Sequence, residues 1–467
     1  MELSSRLGLV RRSPSFGLLF FATAGSSFGT YLAALVLTVD VYDRTESGVW
    51  IAALLIADFL PIVLIGLLLG PLVDRLSRRR LMIASDVARF GVFAALPFVD
   101  SATAIVGLAA VAGVATGFFR PAAQAAIPNL VPDDELANAN SLLQVVETFA
   151  WTVGPAVGGA MLVVWTPDVP YVVNAATFLL SAALIARIPG SRLQSGEPLT
   201  RGHWRDVADG LRLVVGSAPV RTVLIVWNLA LVGSAAINVA EVFFAKDTLD
   251  AGNIGFGALV AASGVGLVIG SFLAPPSLRK AGLRRNYAGA IGLMAVGWTG
   301  AGLSPSIWVA IPFIVGGSAG NGAANVCNAL LVQRGTPDRL RGRAFATVMS
   351  STYATLGLAM AGAGVLIGHY GARWIWVVSA LSFFAVAAVA FVLTHWLPRA
   401  SADEDAVFEA ATEAASALGS QDAGEPTTTP VPEPLPNAPP PSGLERIADL
   451  LEEIERRREL EARRSTS

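Results

Sequence analysis

The chain has 467 residues, 54% of them hydrophobic and 15% charged, and its mean hydropathy is +0.59. A soluble domain carries about 25% charged residues, so this composition excludes a water-soluble globule of this length. The formal net charge is −2, and we expect no nucleic-acid partner. The one cysteine, Cys327, excludes an internal disulfide, and the widely separated His203, His369 and His395 show no metal-ligand spacing.

About twelve apolar segments follow in chain order, each long enough to cross a hydrocarbon layer of about 30 Å as a helix. The predicted spans are 16–40, 48–72, 81–99, 102–124, 140–164, 169–188, 218–245, 253–278, 286–303, 306–330, 343–367 and 371–397. Inside lipid the backbone must satisfy its own hydrogen bonds, which a helix does within one segment. The sequence lacks the short alternating segments of a membrane barrel, so it predicts an all-α integral membrane protein.

Lysine and arginine are distributed unequally over the connections between these spans. One set of connections, counted with the N-terminal end, carries 21 of these residues, and the opposite set carries 3, which are Arg44, Lys246 and Arg373. Positively charged connections stay in the cytoplasm. The asymmetry therefore predicts a multi-pass protein of the cell membrane with both termini in the cytoplasm.

A longer polar segment separates the sixth predicted span from the seventh. The expected domains are an N-terminal six-helix bundle (1–188), a cytoplasmic linker (189–217), a C-terminal six-helix bundle (218–398) and a cytoplasmic tail (399–467). Residues 204–215 have helical spacing that fits either a helix lying on the membrane or a simple linker. The tail is rich in polar residues and proline, which predicts disorder, with a short charged helix near 443–464.

The two halves share landmarks at nearly one offset. Pro132-Asp133 recurs as Pro337-Asp338 at 205 positions, and the pairs Arg75 with Arg279 and Gly158 with Gly362 are each 204 positions apart. An even number of spans in each half gives both halves the same orientation. The sequence thus predicts two parallel six-helix repeats around a central cavity, a known transporter design with its binding site near the membrane midplane.

The connection after the second span reads Gly70-Pro-Leu-Val-Asp74-Arg75-Leu-Ser-Arg78-Arg79-Arg80. It resembles motif A of the major facilitator superfamily, G-x-x-x-D-R-x-G-R-R, with Ser77 in place of the second glycine. A glycine allows close helix approach, and the aspartate is suited to face a helix N-terminus. The alternative is an ordinary positive-inside loop. The resemblance implies a conformational-switch role for Gly70, Asp74, Arg75, Arg78 and Arg79.

The fifth predicted span contains Gly154-Pro155-Ala-Val-Gly158-Gly159. Pro155 removes a helical hydrogen bond and bends the helix, while Gly154 and Gly158 form a small-residue packing face. This helix-bend stretch resembles motif C, which marks antiporter-type exporters in the same superfamily; a generic kinked packing helix is the alternative. The stretch from Phe119 to Asn140 resembles the branch that contains enterobactin exporters and macrolide efflux pumps, and the whole resemblance covers about residues 10–398.

Ionisable side chains at membrane depth are costly and therefore indicate function. Asp58 lies about 15 Å into the second span, and Glu147 lies about two turns into the fifth. A buried carboxyl is suited to carry a proton, so Asp58 and Glu147 are the candidate proton-coupling residues. Structural pairing with Arg89 or Arg120 is the alternative; Arg120 lies towards the cytoplasmic end of the fourth span, and motif B is not cleanly matched there.

Three asparagines, Asn321, Asn325 and Asn328, are spaced to share one face of the tenth predicted span. A polar stripe of this kind is typical of a helix that lines a water-filled path, and these residues are the candidate cavity lining. Hydrogen bonding between helices explains the same spacing equally well.

The leading hypothesis is a secondary active transporter, a proton-coupled exporter of drug-like or siderophore-like small molecules that works by alternating access. The sequence contains no G-x-x-x-x-G-K-[ST] or H-E-x-x-H motif, so neither ATP hydrolysis nor another enzyme activity is expected. Alternatives are a lipid or nutrient carrier of the same fold and a non-transporting membrane sensor or scaffold. Expected partners are the substrate, protons and the bilayer, with no cofactor or metal; the tail is a candidate site for a protein partner.

The charge asymmetry makes a direct prediction about topology. Reporter domains fused at residue 200 and after residue 420 should both report the cytoplasm, because both positions lie on the arginine-rich side. An enzymatic reporter that is active on one side of the membrane measures this. A signal from the extracellular side at either position would contradict the predicted orientation.

Overall fold

The computed structural model describes residues 8–68, 76–132, 135–193, 217–336 and 341–395, without the side chains of 66–68, 279 and 341–347. All of these residues belong to one compact unit, Met1–Leu397. Several predictions fall outside the described residues: those for Gly70, Asp74 and Arg75, most of the linker with its amphipathic stretch, and the tail with its short charged helix.

Eleven α-helices and no strand are present in the described part of the chain. They are α1 Pro14–Thr45, α2 Gly48–Leu68, α3 Arg78–Ala95, α4 Ala102–Ala126, α5 Leu136–Val164, α6 Asp168–Ala186, α7 Ala218–Phe243, α8 Gly252–Gly302, α9 Ile307–Arg334, α10 Arg341–Tyr370 and α11 Ala372–His395. Eleven segments of the described residues are long and apolar enough to cross a membrane. The all-α integral-membrane class is therefore confirmed.

Helix α8 accounts for the difference between eleven helices and about twelve predicted spans. It has 51 residues and is interrupted at Gly282, whose φ of 73° and ψ of 163° are not helical. Its two arms, 252–281 and 283–302, pass α9 in opposite directions. The neighbouring pairs are Gly266 with Val315 and Gly270 with Ala319 in the first arm, then Gly297 with Gly317 and Gly300 with Phe313 in the second. The chain therefore reverses at Gly282, and α8 holds both the eighth and ninth predicted spans.

The two halves contact each other through two close helix pairs, α2 with α10 and α5 with α8, which the internal repeat relates to each other. A Cβ added at Gly48 of α2 would lie 2.7 Å from the Gly364 carbonyl oxygen of α10. A Cβ added at Gly159 of α5 would lie 2.8 Å from the Asn253 carbonyl oxygen of α8. Shifting the first pair by the repeat offset of 204 residues gives positions 252 and 160, which adjoin the second pair. Such exchange is what an approximate two-fold axis between parallel repeats requires.

The motif of α5 packs against two helices at once. A Cβ at Gly158 would lie 2.7 Å from the Leu32 carbonyl oxygen of α1, in the same half. Pro155 and Gly159 instead approach α8: a Cβ at Gly257 would lie 3.1 Å from the Pro155 carbonyl oxygen. Because no side chain separates the backbones, α5 lies tightly between α1 and the C-terminal half. Helix α5 continues through Pro155, and the helix-bend role of the motif stays a prediction.

We call the end of the bundle that holds the α1–α2 and α7–α8 connections the distal end, and the opposite end, where α1 begins, the terminal end. The distal end is closed by four residues that we call the distal clasp: Tyr42, Asp43, Lys246 and Asp247. The Tyr42 hydroxyl donates to Asp247 Oδ1, and the Lys246 ammonium pairs with Asp43 Oδ1. The same ammonium lies 4.6 Å from the centre of the Tyr42 ring, a cation–π contact.

The C-terminal part of the clasp lies on a π-helical turn, Phe244–Thr248. The Phe244 ring stacks on Trp376 of α11, with ring centres 4.5 Å apart, and so fixes this turn to the rest of its half. Tyr42 and Asp43 correspond to Lys246 and Asp247 at the repeat offset of 204. The clasp is therefore another pair of exchanged contacts across the approximate two-fold axis.

We predict that Gly159→Val shifts the protein away from this distally closed arrangement. The valine side chain would overlap the backbone of α8, and overpacking of this kind costs about 1–3 kcal/mol. In a Cys327→Ala background, a reporter cysteine at Ala52, which is buried beside Gly364, should react faster with an impermeant maleimide. Gly107→Val is the matched control, because a Cβ there meets nothing within 4 Å. Equal labelling in the two variants would contradict the packing argument.

Candidate substrate and proton site

Glu147 of α5 accepts hydrogen bonds from three side chains on two other helices. The Ser27 hydroxyl donates to Oε2 at 2.7 Å, and the Tyr31 hydroxyl donates to Oε1 at 2.7 Å; both belong to α1. Arg120 Nη2 of α4 also donates to Oε1 at 2.7 Å, which makes an ion pair. Hydrogen bonds that involve charged groups are stronger than neutral ones, so these contacts hold the Glu147 side chain between α1 and α4.

Local sequence explains why these groups converge. Ser27 and Tyr31 are one turn apart on α1 and therefore share a face. A Cβ at Gly154 would lie 3.0 Å from Tyr31 Cβ, so the glycine face of α5 brings α1 close enough for both hydroxyls to reach Glu147. Arg120 completes the set from α4, although its position near the cytoplasmic end of the fourth span did not fit motif B.

Glu147 and its partners line a cavity of about 350 Å³, which we call the Glu147 cavity. Its wall is rich in hydroxyl and amide groups, contributed by Thr23, Ser26, Thr30, Gln124, Asn140 and Gln144. Asn140 lies near the start of α5, so the cavity extends from the middle of the N-terminal half towards the terminal end. A polar cavity of this size can hold water and a small molecule.

Asp58 of α2 lines a smaller neighbouring cavity of about 40 Å³, the Asp58 cavity. Its side chain is exposed, and within the described part of the chain its carboxylate has no hydrogen-bond or ion-pair partner. Thr30, Thr116 and Arg89 line both cavities. The two carboxyl groups predicted from the sequence therefore lie in adjoining spaces separated by two hydroxyls and one guanidinium.

Arg89 does not pair with either candidate carboxyl. It forms a buried ion pair with Asp86, one turn away on α3. Its guanidinium carbon also lies 4.5 Å from the centre of the Phe119 ring and 4.3 Å from that of Phe178. Asp86 thus balances the charge of Arg89, and two aromatic rings contact its guanidinium. Of the ion pairs considered as an alternative to proton coupling, the structure contains the one between Glu147 and Arg120.

The described part of the motif-A stretch fastens helix ends at the terminal end. The Ser77 hydroxyl accepts from the Arg80 backbone N–H and caps α3, a reason for serine where the pattern has glycine. Arg78 is buried and donates to the carbonyl oxygens of Ala125 at 2.9 Å and Leu193 at 3.1 Å. Arg79 donates to the Ala186 carbonyl oxygen at the end of α6. The switch role of the motif stays a prediction.

The three asparagines of α9 do not share one environment. Asn328 is buried and accepts a hydrogen bond of 2.6 Å from the Tyr287 hydroxyl in the second arm of α8. Its placement fits the hydrogen-bonding alternative. Asn325 is exposed and donates to Asn321 Oδ1 at 3.1 Å. Cavity lining therefore stays a prediction for Asn321 and Asn325.

Sequence reasoning missed the hydroxyl partners of Glu147 and the whole distal clasp. Ser27 and Tyr31 are polar residues one turn apart in an apolar span, a signal that was available. Tyr42 and Asp247 are 205 residues apart, close to the repeat offset. A residue near a two-fold axis contacts residues of the other half that lie about one repeat offset away in the sequence. The repeat offset could therefore have indicated the clasp.

Two relatives of this chain are efflux proteins. The multidrug efflux pump Tap of Mycolicibacterium fortuitum is 28% identical over 370 residues, which is 75% of this chain and 89% of Tap. Macrolide efflux protein A of Streptococcus pyogenes is 23% identical over 218 residues, which is 44% of this chain and 53% of that protein.

Solved structures support the same fold. A bacterial homologue of the iron transporter ferroportin, crystallised in an inward-facing state, aligns with a TM-score of 0.66 at 15% identity, covering 81% of this chain and 98% of that one. The sequence also matches the transmembrane secretion effector family over residues 10–416. The protein therefore belongs to the transmembrane secretion effector family, within the major facilitator superfamily of transporters.

Proposed function

We propose that this protein exports drug-like small molecules from the cytoplasm by alternating access, and that each cycle is driven by a proton taken up on Glu147. The multidrug and macrolide efflux of its relatives supports the substrate class and the direction of transport. The observation that carries the coupling proposal is the position of Glu147, an acidic side chain with three donors inside a polar cavity at membrane depth.

Protonation of Glu147 would change its contacts without moving any atom far. The carboxylate loses its charge, so its ion pair with Arg120 becomes a neutral hydrogen bond, which is weaker. Arg120 then carries an uncompensated positive charge beside the cavity. A proton and a cationic or polar substrate would consequently compete for the same site, which is the linkage that exchange transport requires.

We infer that Asp58 is a second proton-binding group. The hydroxyls of Thr30 and Thr116 lie between the two cavities and donate to backbone carbonyls of their own helices, at 2.7 and 2.9 Å. Each hydroxyl oxygen keeps lone pairs that can accept from water. Water in the Asp58 cavity, which at about 40 Å³ exceeds the volume one molecule needs, would connect Asp58 with the Glu147 cavity.

The positions of the contacts favour an inward-facing arrangement. The contacts between halves lie at the distal end and towards the middle, where the Phe59 and Tyr353 rings stack with centres 6.2 Å apart. The Glu147 cavity extends the other way, to the terminal end. With both termini in the cytoplasm, as the charge asymmetry favours, this cavity faces the cytoplasm and the distal clasp closes the outside.

The coupling proposal predicts that Glu147→Gln abolishes transport driven by a pH gradient but keeps substrate exchange. Glutamine preserves the size of the side chain and cannot exchange a proton near neutral pH. The measurement uses purified full-length protein in liposomes and radiolabelled erythromycin as the macrolide probe. Accumulation is measured with an imposed pH gradient, and counterflow exchange is measured without one.

Glu135→Gln is the matched control, because Glu135 is also paired with an arginine, Arg12, at 3.4 Å but lies at the start of α5 outside the cavity. It should keep both activities. Asp58→Asn tests the second group in the same assay. Full gradient-driven accumulation by Glu147→Gln would exclude Glu147 as the coupling residue.

A second prediction concerns the distal clasp, which must open for release outside. Lys246→Ala should raise maleimide labelling of Ala52→Cys by up to about five-fold, because a partly exposed ion pair contributes about 0.2–1 kcal/mol. The exchanged pair Asp43→Lys with Lys246→Asp should restore low labelling. Asp100→Ala removes an exposed partner of Arg44 inside one half and should have no effect. Equal labelling in Lys246→Ala and Asp100→Ala would mean that the clasp does not hold the distal end closed.

A further inference from the structure

A second polar cluster lies in the C-terminal half and contains no charged group. Asn228 of α7 donates through Nδ2 to the Leu224 carbonyl oxygen at 2.7 Å and to Ser351 Oγ at 3.1 Å. The Thr355 hydroxyl, one turn beyond Ser351 on α10, donates to Asn228 Oδ1 at 2.5 Å. All three side chains are partly accessible. We call these three residues the acceptor triad.

The internal repeat places the acceptor triad opposite Glu147. Ser351 is 204 residues after Glu147, and the three residues that follow each of them match closely. The matching stretches are Thr148-Phe149-Ala150 and Thr352-Tyr353-Ala354. Helices α7 and α10 are likewise the equivalents of α1 and α5, which hold the Glu147 cluster. The two clusters therefore lie at corresponding depths on opposite sides of the approximate two-fold axis.

Contacts between the halves confirm that this part of α10 reaches the centre of the protein. Tyr353, between Ser351 and Thr355, stacks on Phe59 of α2. A Cβ added at Gly357 would lie 3.6 Å from the same phenylalanine. Phe59 follows Asp58 directly in the sequence. Tyr353 and Gly357 lie on the side of α10 opposite Ser351 and Thr355, so they place this stretch of the helix beside α2. Ser351 instead faces α7, as Glu147 faces α1, and the triad lies at the depth of the candidate proton site.

Counting donors and acceptors shows what the triad can bind. Both Nδ2 hydrogens of Asn228 are used, the Thr355 hydrogen is used, and the Ser351 hydroxyl donates to the Val348 carbonyl oxygen at 2.9 Å. No side-chain donor remains free. Asn228 Oδ1, Ser351 Oγ and Thr355 Oγ1 each keep at least one unused lone pair. The cluster thus presents acceptors alone, with no negative charge that would attract a proton.

We propose that the acceptor triad is a substrate-recognition site that binds hydroxyl groups of the exported molecule. The inference rests on the proposed export function and assigns separate tasks to the two halves: Glu147 exchanges protons, and the triad selects substrates that donate hydrogen bonds. A neutral acceptor set suits this task, because its affinity does not change when Glu147 gains or loses a proton. Substrates whose hydroxyls are blocked leave the triad lone pairs unpaired, which costs binding energy.

The test compares one macrolide, erythromycin, with a derivative in which a hydroxyl is O-methylated. The dissociation constant of each is measured with purified full-length protein by equilibrium dialysis, so no pH gradient is involved. The native protein should prefer the free hydroxyl by about three- to ten-fold, the range for one hydrogen bond. The double variant Ser351→Ala with Thr355→Val removes two acceptors, keeps the side-chain shapes and should lose that preference.

The matched control is Thr222→Val with Thr394→Val, which removes two buried hydroxyls that bond within their own helices. It should keep the native preference. Equal loss of affinity for both macrolides in the triad variant, or an unchanged preference, would overturn the inference. These measurements are equilibrium affinities and are independent of the gradient-driven test of Glu147. Glu147→Gln can keep gradient-driven accumulation while the triad preference is observed, and the triad preference can be absent while Glu147→Gln loses accumulation.

Discussion

The requirement that a carboxylate inside a membrane protein receive donors organises the N-terminal half. Water supplies those donors at a surface, and inside the bundle other helices must do so. For Glu147 they are Ser27 and Tyr31 of α1 and Arg120 of α4. The glycines of α5 bring α1 close enough for its hydroxyls to reach. The packing motif and the polar site are therefore parts of one arrangement.

Most of the fold could be predicted from the sequence, because lipid restricts the alternatives. Long apolar segments located the helices, and the repeated landmarks located the two halves. The turn inside α8 was also predicted as a boundary between spans, although the helix is interrupted at a single residue, Gly282. What hydropathy could not give is the order of contacts between helices, since lipid-facing and protein-facing surfaces are both apolar.

The candidate site was predicted less completely, for a physical reason. The cost of burying charge singles out Asp58 and Glu147 from sequence alone. It does not identify the side chains that form ion pairs or hydrogen bonds with each of them. Glu147 turned out to be paired, while Asp58 has no partner among the described residues. For the asparagines of α9, the same spacing fits either a cavity wall or hydrogen bonding between helices. Asn328 forms such a hydrogen bond, with Tyr287.

Helix α1 connects the candidate proton site with the distal clasp. It is continuous over Pro14–Thr45 and carries Tyr31 at Glu147 and Tyr42 at the clasp, about 16 Å apart along the helix. Neutralising Glu147 weakens its ion pair with Arg120 and changes the forces that fix α1 against α4 and α5. Because α1 is continuous between the two tyrosines, a displacement at Tyr31 would reach Tyr42 and alter its hydrogen bond to Asp247. Under the proposed exchange, the proton enters from the outside as the substrate leaves, so this connection would link protonation of Glu147 to closing of the distal clasp behind the released substrate.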